Sequence, residues 1–188
     1  MRYTTTVSGA EPITMQQVKE HLRVNFDDED SLIYALLVAS REYAEKATSQ
    51  AIIPQTIKAY YPALPSTAGS LSLPLSNAVA ITTVKYLDSA GVQQTLSSSE
   101  YYLTVGQPNT VYFTAGAAAV TAQPDSVEIT YTAGFGSSPY KPFPQSIRAA
   151  ILVMTADLYE NRESQSTQKF EQNMTVERLL NMNREMGL

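Results

Sequence analysis

Asp27–Gln50, DDEDSLIYALLVASREYAEKATSQ, is the stretch that decides how the rest of the chain is read. Leu32, Ile33, Leu36, Leu37, Ser40, Tyr43, Ala44 and Ala47 recur at three- and four-residue steps, which places them in one stripe of a long helix. No Gly or Pro interrupts the run. Asp27, Asp28, Glu29 and Asp30 stand where a helix N-terminus favours carboxylates, so the spacing predicts that Asp27 or Asp28 caps the first free N–H groups. Arg41 and Lys46 lie toward the opposite end, where cations are favoured. A helix this long is held mainly by what its stripe packs against. The partner is a second helical pattern, about 144–162, with Ile147, Ile151, Met154 and Leu158 in one stripe and Ala150, Leu152 and Val153 widening it.

Upstream, Thr14 and Gln17 have the spacing of a capping box and open a short helix over about 15–22. The first twelve residues are polar and read as extended. Between the long helices the pattern changes to short β-rich runs separated by Pro, Gly, Ser and Asn. Runs at 56–61, 71–75, 79–87, 92–96, 101–105, 111–113 and 127–132 predict a small antiparallel sandwich or barrel. Gly134-Phe135-Gly136 reads as a flexible turn, since it lacks the third glycine of a nucleotide-binding loop. After Glu163 the composition turns polar and reads as a linker, followed by a small amphipathic helix over about 175–186. The fold class is therefore α+β. A helical core (1–50 and 137–163) carries an inserted antiparallel β domain (51–136), and a linker and tail helix (164–188) follow. Val176, Leu179, Leu180, Met182 and Met186 give that tail helix an apolar side, which packs either on its own subunit or on a partner.

Composition excludes several functions. With 188 residues the chain buries roughly 70% of its unfolded surface without any staple. It has no cysteine, hence no disulfide, thiolate metal site or cysteine nucleophile. Thirteen basic against 18 acidic side chains, a net charge of −5, argue against gripping DNA by its phosphates. The first residues lack a signal-peptide layout, and no run approaches the ~18 apolar residues of a membrane span. The expectation is a soluble protein made in the cytoplasm. His21, the single histidine, reads as a surface or packing residue, and no nucleophile elbow or phosphate-binding loop is present. The acid run Asp27-Asp28-Glu29-Asp30 lacks the spacing of a calcium loop and reads as a helix start. Its other reading is a charge patch that keeps DNA from sticking. The twelve tyrosines fall largely in strand patterns, which favours packing over base stacking. No cofactor or metal is expected, and no catalytic residue.

Three blocks carry a family resemblance. The first is Ile13-Thr14-Met15-Gln16-Gln17-Val18-Lys19-Glu20-His21-Leu22-Arg23-Val24, followed by the acid run and Ser31-Leu32-Ile33. The second is Ala39-Ser40-Arg41-Glu42-Tyr43-Ala44-Glu45. The third runs from Val127 to Gly136, then Pro144 to Leu152, then Tyr159-Glu160-Asn161-Arg162-Glu163. In this order they resemble tailed-phage head–tail connector (adaptor) proteins, in the subgroup with a β insertion between its helices. The resemblance implies a structural virion protein at the head–tail junction, without catalysis. It implies a homo-oligomeric ring, usually of twelve copies, under the portal protein. Such a ring extends the DNA channel and meets a head-completion (stopper) or tail protein on its other side, while double-stranded DNA passes without sequence-specific binding. On that reading the tail helix docks on the portal. Leu152, Val153 and Tyr159 are then candidates for subunit–subunit packing, and Asp27, Asp28, Glu29 and Asp30 for a channel charge patch. The alternatives are a tail-completion or other virion structural protein, or a DNA-packaging accessory factor with enzymatic activity.

Overall fold

The computed structural model describes residues 2–104, 109–114, 123–137, 139–161 and 174–184. The chain divides into two compact units, one helical (11–52 and 142–184) and one of β-sheet (1–10, 53–141 and 185–188). The α+β class holds, with four helices and two antiparallel sheets among the described residues.

In the helical unit, α1 spans Met15–Leu22, α2 Asp30–Thr48, α3 Gln145–Glu160 and α4 Met174–Asn181. The capping box at α1 is complete. The Gln17 N–H donates to Thr14 Oγ1 at 3.3 Å, and the Thr14 N–H donates to Gln17 Oε1 at 3.2 Å. Helix α2 begins three residues later than the acid run suggests. Glu29 takes the N-cap position with no side-chain cap bond, so neither Asp27 nor Asp28 caps the helix. The reason is a local turn, closed by the Asp30 N–H donating to the Asp27 carbonyl at 3.1 Å. At its far end Ser49 turns left-handed (φ 56°) and stops the helix.

Helices α2 and α3 pack together, as the two stripes require. The buried sides are narrower and smaller in residue than expected: Ile33, Leu37, Ser40, Arg41, Ala44 and Thr48 on α2, and Ile147, Ala150, Ile151 and Thr155 on α3. Leu32, Tyr43 and Leu158, placed in the stripes by period alone, face solvent. Their places go to small and hydroxyl residues. The buried hydroxyls of Ser40, Thr48 and Thr155 each donate to the carbonyl four residues back, which removes the cost of burying them.

The sheet unit holds β1 (Arg2–Val7), β2 (Gln55–Tyr61), β3 (Gly69–Ser72), β4 (Ala78–Leu87), β5 (Gln93–Thr95), β6 (Tyr101–Thr104), β7 (Thr110–Phe113) and β8 (Val127–Ala133). One sheet has the order β1-β2-β8-β4-β5 and the other β3-β7-β6. The first residues are thus a sheet strand, paired antiparallel with β2 from Arg2↔Tyr60 to Val7↔Gln55. Central strand β8 has Val127, Ile129, Tyr131 and Ala133 at 0% exposure on one face, and Thr130 is buried on the other. Tyr131 is the largest fully buried side chain. Its hydroxyl accepts from the Leu75 N–H (3.2 Å) and donates to the Leu75 carbonyl (3.1 Å). Burial raises its pKa, as it does that of Tyr61. Strand β4 carries register shifts at Ala78/Ala80 and Ile81/Thr83 against β8.

At Gly134-Phe135-Gly136 the backbone comes close to Ile53 and Pro54. Gly134 has φ 138°, and a Cβ there would meet the Ile53 carbonyl oxygen at 2.5 Å. The Gly136 N–H donates to the Lys141 carbonyl at 2.9 Å. Only glycine meets both demands at 134.

Candidate docking surfaces and the charged clasps of the helical unit

Charged contacts tie the helical unit together. Lys19, on α1, reaches the carboxylates of Asp27 at 2.5 Å and Asp30 at 2.7 Å. Hydrogen bonds to Asp27 and then Asp30 raise the Lys19 pKa, and the bond to Lys19 holds Asp27 below the ordinary carboxylate value. Tyr159, on α3, donates its hydroxyl to Glu29. Two of the four acids and the Glu29 carboxylate between them therefore have partners within the unit, and Asp28 is exposed. The acid run is thus in large part an internal clasp.

A second network is more buried. Arg41, only 6% exposed, donates to Glu11 Oε1 (3.2 Å) and Glu45 Oε2 (2.9 Å). The other Glu45 oxygen accepts the Ile52 N–H at 2.7 Å, which anchors the chain leaving α2. Burial opposes the Arg41 charge, but the Glu45 and Glu11 carboxylates more than offset it, so its pKa is raised. Arg148 adds a bond to Gln17 Oε1 (3.0 Å) and lies over the Phe143 ring at 5.6 Å. The Arg41–Glu45 spacing of four was readable as a helix pair. Glu11 and Lys19 carried no such signal, because their partners do not share a helix with them.

Of the tail-helix residues, Val176 (5% exposed) and Leu180 (3%) are buried as α4 packs on α3 and α2. Asn183 seals the end of α4. Its carbonyl accepts from Gln50 Nε2 (2.8 Å) and its amide donates to Ser146 Oγ (2.6 Å). Leu179 is half-buried and Met182 is 76% exposed. Met186 and the linker 163–172 lie outside the described residues. Helix α4 therefore has two faces, one spent on its own unit and one open at Met182 and Met174. Leu152 and Val153 on α3 are half-buried. Phe26 and Tyr34, which period alone did not mark, and Tyr43, which it did, leave further apolar surface exposed on the same unit.

A shallow groove of about 670 Å³ beside α1 is lined by Gln16, Lys19, Glu20, Arg23, Asn25 and Asp27 among others. Its mixed charge provides no cradle for a phosphate or carboxylate group. Among the described residues no cluster of three or more His, Cys, Asp or Glu could hold a metal ion. None of the described helices is long and apolar enough to cross a membrane.

Comparison with known proteins adds three findings. Residues 12–111 match the model of the phage gp6-like head-tail connector protein family. No curated protein matches the chain in sequence. Among solved structures, a chain in the neck of an empty GTA particle, computed with C6 symmetry, superposes with a TM-score of 0.77 at 21% identity, covering 98% of this chain and 97% of that one. A chain in the virion of the native gene transfer agent (GTA) particle gives 0.72 at 23% identity, over 98% and 96%. A chain in the neck of the native GTA particle, computed with C12 symmetry, gives 0.69 at 21% identity, over 97% of each.

Proposed function

The chain belongs to the phage gp6-like head-tail connector family and is a structural connector subunit; from that premise we propose that it assembles as a twelve-copy ring in the neck of a virion, under the portal protein. The observation that supports this reading is the likeness in fold, over nearly the whole length of both chains, to chains in GTA-particle necks computed with C6 and C12 symmetry. The mechanism is geometric. A ring of identical subunits presents one surface to the portal and another to a head-completion or tail protein, and DNA passes through its centre. A net charge of −5 suits passage without gripping. The ring performs no catalysis and needs no cofactor.

Within the ring the tail segment (164–188) docks on the portal. Docking falls to the open side at Leu179 and Met182, with Met186 following in sequence, while Val176 and Leu180 hold the helix to its own subunit. Leu152, Val153 and the ring of Tyr159 pack against a neighbouring copy. Asp28 and the exposed edge of Asp27 form the charge patch on the channel side, with Glu29 and Asp30 behind them.

The test is portal binding by a charge-bearing variant of the open face. Met182→Glu leaves the buried side of α4 intact, so it should fold normally and bind portal at least tenfold more weakly. Undiminished portal binding by that variant would show that α4 is not the docking element.

A further inference from the structure

Among the described residues strand β1 is paired on one side only. It sits at the end of the five-stranded sheet, and all six of its side chains are exposed. Tyr3, Thr5 and Val7 lie opposite Ala59, Ile57 and Gln55, so they continue the sheet's buried row. Ala59 and Ile57 are 0% exposed, whereas Tyr3 is 44% and Val7 53% exposed. The core face thus runs one strand beyond whatever covers it among the described residues.

The free edge is also ready to pair. The Ser8 N–H donates to the Pro54 carbonyl at 3.1 Å, one step beyond the Val7↔Gln55 pair. Antiparallel ladders alternate, so Arg2, Thr4 and Thr6 point their N–H and C=O groups at β2. Tyr3, Thr5 and Val7 point theirs outward. The strand's start is held by Arg2, which bonds Asp125 at 2.7 Å and lies over the Tyr60 ring at 4.5 Å. Isolated edges are normally blunted by charges, Pro or bulges, and Tyr3–Val7 carries neither charge nor Pro.

We propose that β1 is a seam between successive copies of this chain, pairing with β5 at the opposite end of the next copy's sheet. The proposal rests on the ring reading above. A closed head-to-tail ring needs two different surfaces on every copy. This sheet supplies two at its opposite ends, β1 and the fully exposed β5. Every neighbouring pair in the sheet is antiparallel, so the first and fifth strands run in the same direction. A twelvefold step turns a strand by at most about 30°, close to the ordinary twist between neighbouring strands, so β1 and β5 meet as a parallel pair. The rows also match. Gln94 lies opposite Tyr86, and Tyr86 opposite Val127, which puts Gln94 on the face of Tyr3, Thr5 and Val7. The seam covers the exposed Tyr3 and Val7 and extends one sheet from subunit to subunit.

The chain has no cysteine, so introduced thiols are unique. The experiment uses the full chain assembled on the portal of the same phage, carrying Thr4→Cys with Gln93→Cys, or Thr4→Cys with Thr95→Cys, treated with a short bismaleimide. These three positions share the other face of the sheet. The expected result is a denaturation-resistant ladder up to the ring, with no species beyond a dimer from single-cysteine variants. Rings of normal size without a ladder from either pair would overturn the seam and leave the ring reading standing. Failure of the parent chain to assemble would overturn both. A second variant, Thr5→Pro, removes one outward N–H and spares the β1–β2 ladder. It should remain a folded subunit that assembles at least tenfold more weakly, and unchanged assembly would contradict the seam.

Discussion

The helical unit and the sheet unit each bury polar groups, but of different kinds. The helical unit buries a guanidinium between two carboxylates, Arg41 with Glu11 and Glu45. The sheet unit buries a neutral phenol, Tyr131, bonded to the backbone at Leu75. A buried ion pair contributes little net stability but is costly to break, because the remaining charge is left without a partner. A buried neutral hydroxyl is cheaper to lose. The difference shows where each unit is brittle: the helices fail at single charges, and the sheet fails at lost apolar volume.

Arg41→Ala should have the largest effect. It strands the Glu11 and Glu45 carboxylates and should cost about 4 kcal/mol, read as lost hydrogen-exchange protection through α1, α2 and α3. Protection unchanged there would erase the contrast. Ile129→Ala, in the centre of β8, should cost about 3 kcal/mol through the cavity it leaves, seen in a denaturant midpoint followed by sheet-unit amides. Tyr131→Phe should cost about 2 kcal/mol, since the Leu75 N–H loses its partner inside the protein. Thr14→Ala should cost about 1 kcal/mol and fray α1, measurable by exchange at Gln17 and Val18.

The pH dependence should sharpen the contrast at its weakest end. Asp27 is held below its ordinary value of 3.8 by Lys19. Its contribution is present above that value and fades as pH falls through the lower folded value, so the Lys19 clasp opens in acid. Tyr131 and Tyr61 are raised above their ordinary 10.0. Their contribution is complete below that value and is lost as pH rises, because the unfolded phenols ionise first. Base titration should therefore loosen sheet amides at a pH where Lys19, raised above 10.5, is still charged. Helix amides that exchange first in base would contradict this assignment.

Much of the fold could be read from the chain because periodicity and caps are local. Thr14 and Gln17 announce α1 with their side chains alone, and the alternation from Val127 to Ala133 marks a strand. What escaped was set by distant contacts. The order of the sheet, with β8 between β2 and β4, is invisible in any window. Strand β1 carries only a weak Tyr3–Val7 alternation, since neither of its faces is covered in one copy. The start of α2 was misplaced because Asp27 answers to Lys19 and not to the helix. The tail helix was legible as amphipathic, but its pattern could not say that Val176 and Leu180 are spent on α3 and α2 while Met182 is left open.

The most direct measurement is light scattering with size exclusion on the full chain mixed with the portal protein of the same phage. Co-elution with a mass increment of twelve subunits per portal assembly is expected, and that increment should be lost with Met182→Glu. A chain that elutes apart from the portal as a monomer at every concentration would contradict the connector ring and would favour a role at the far end of the tail.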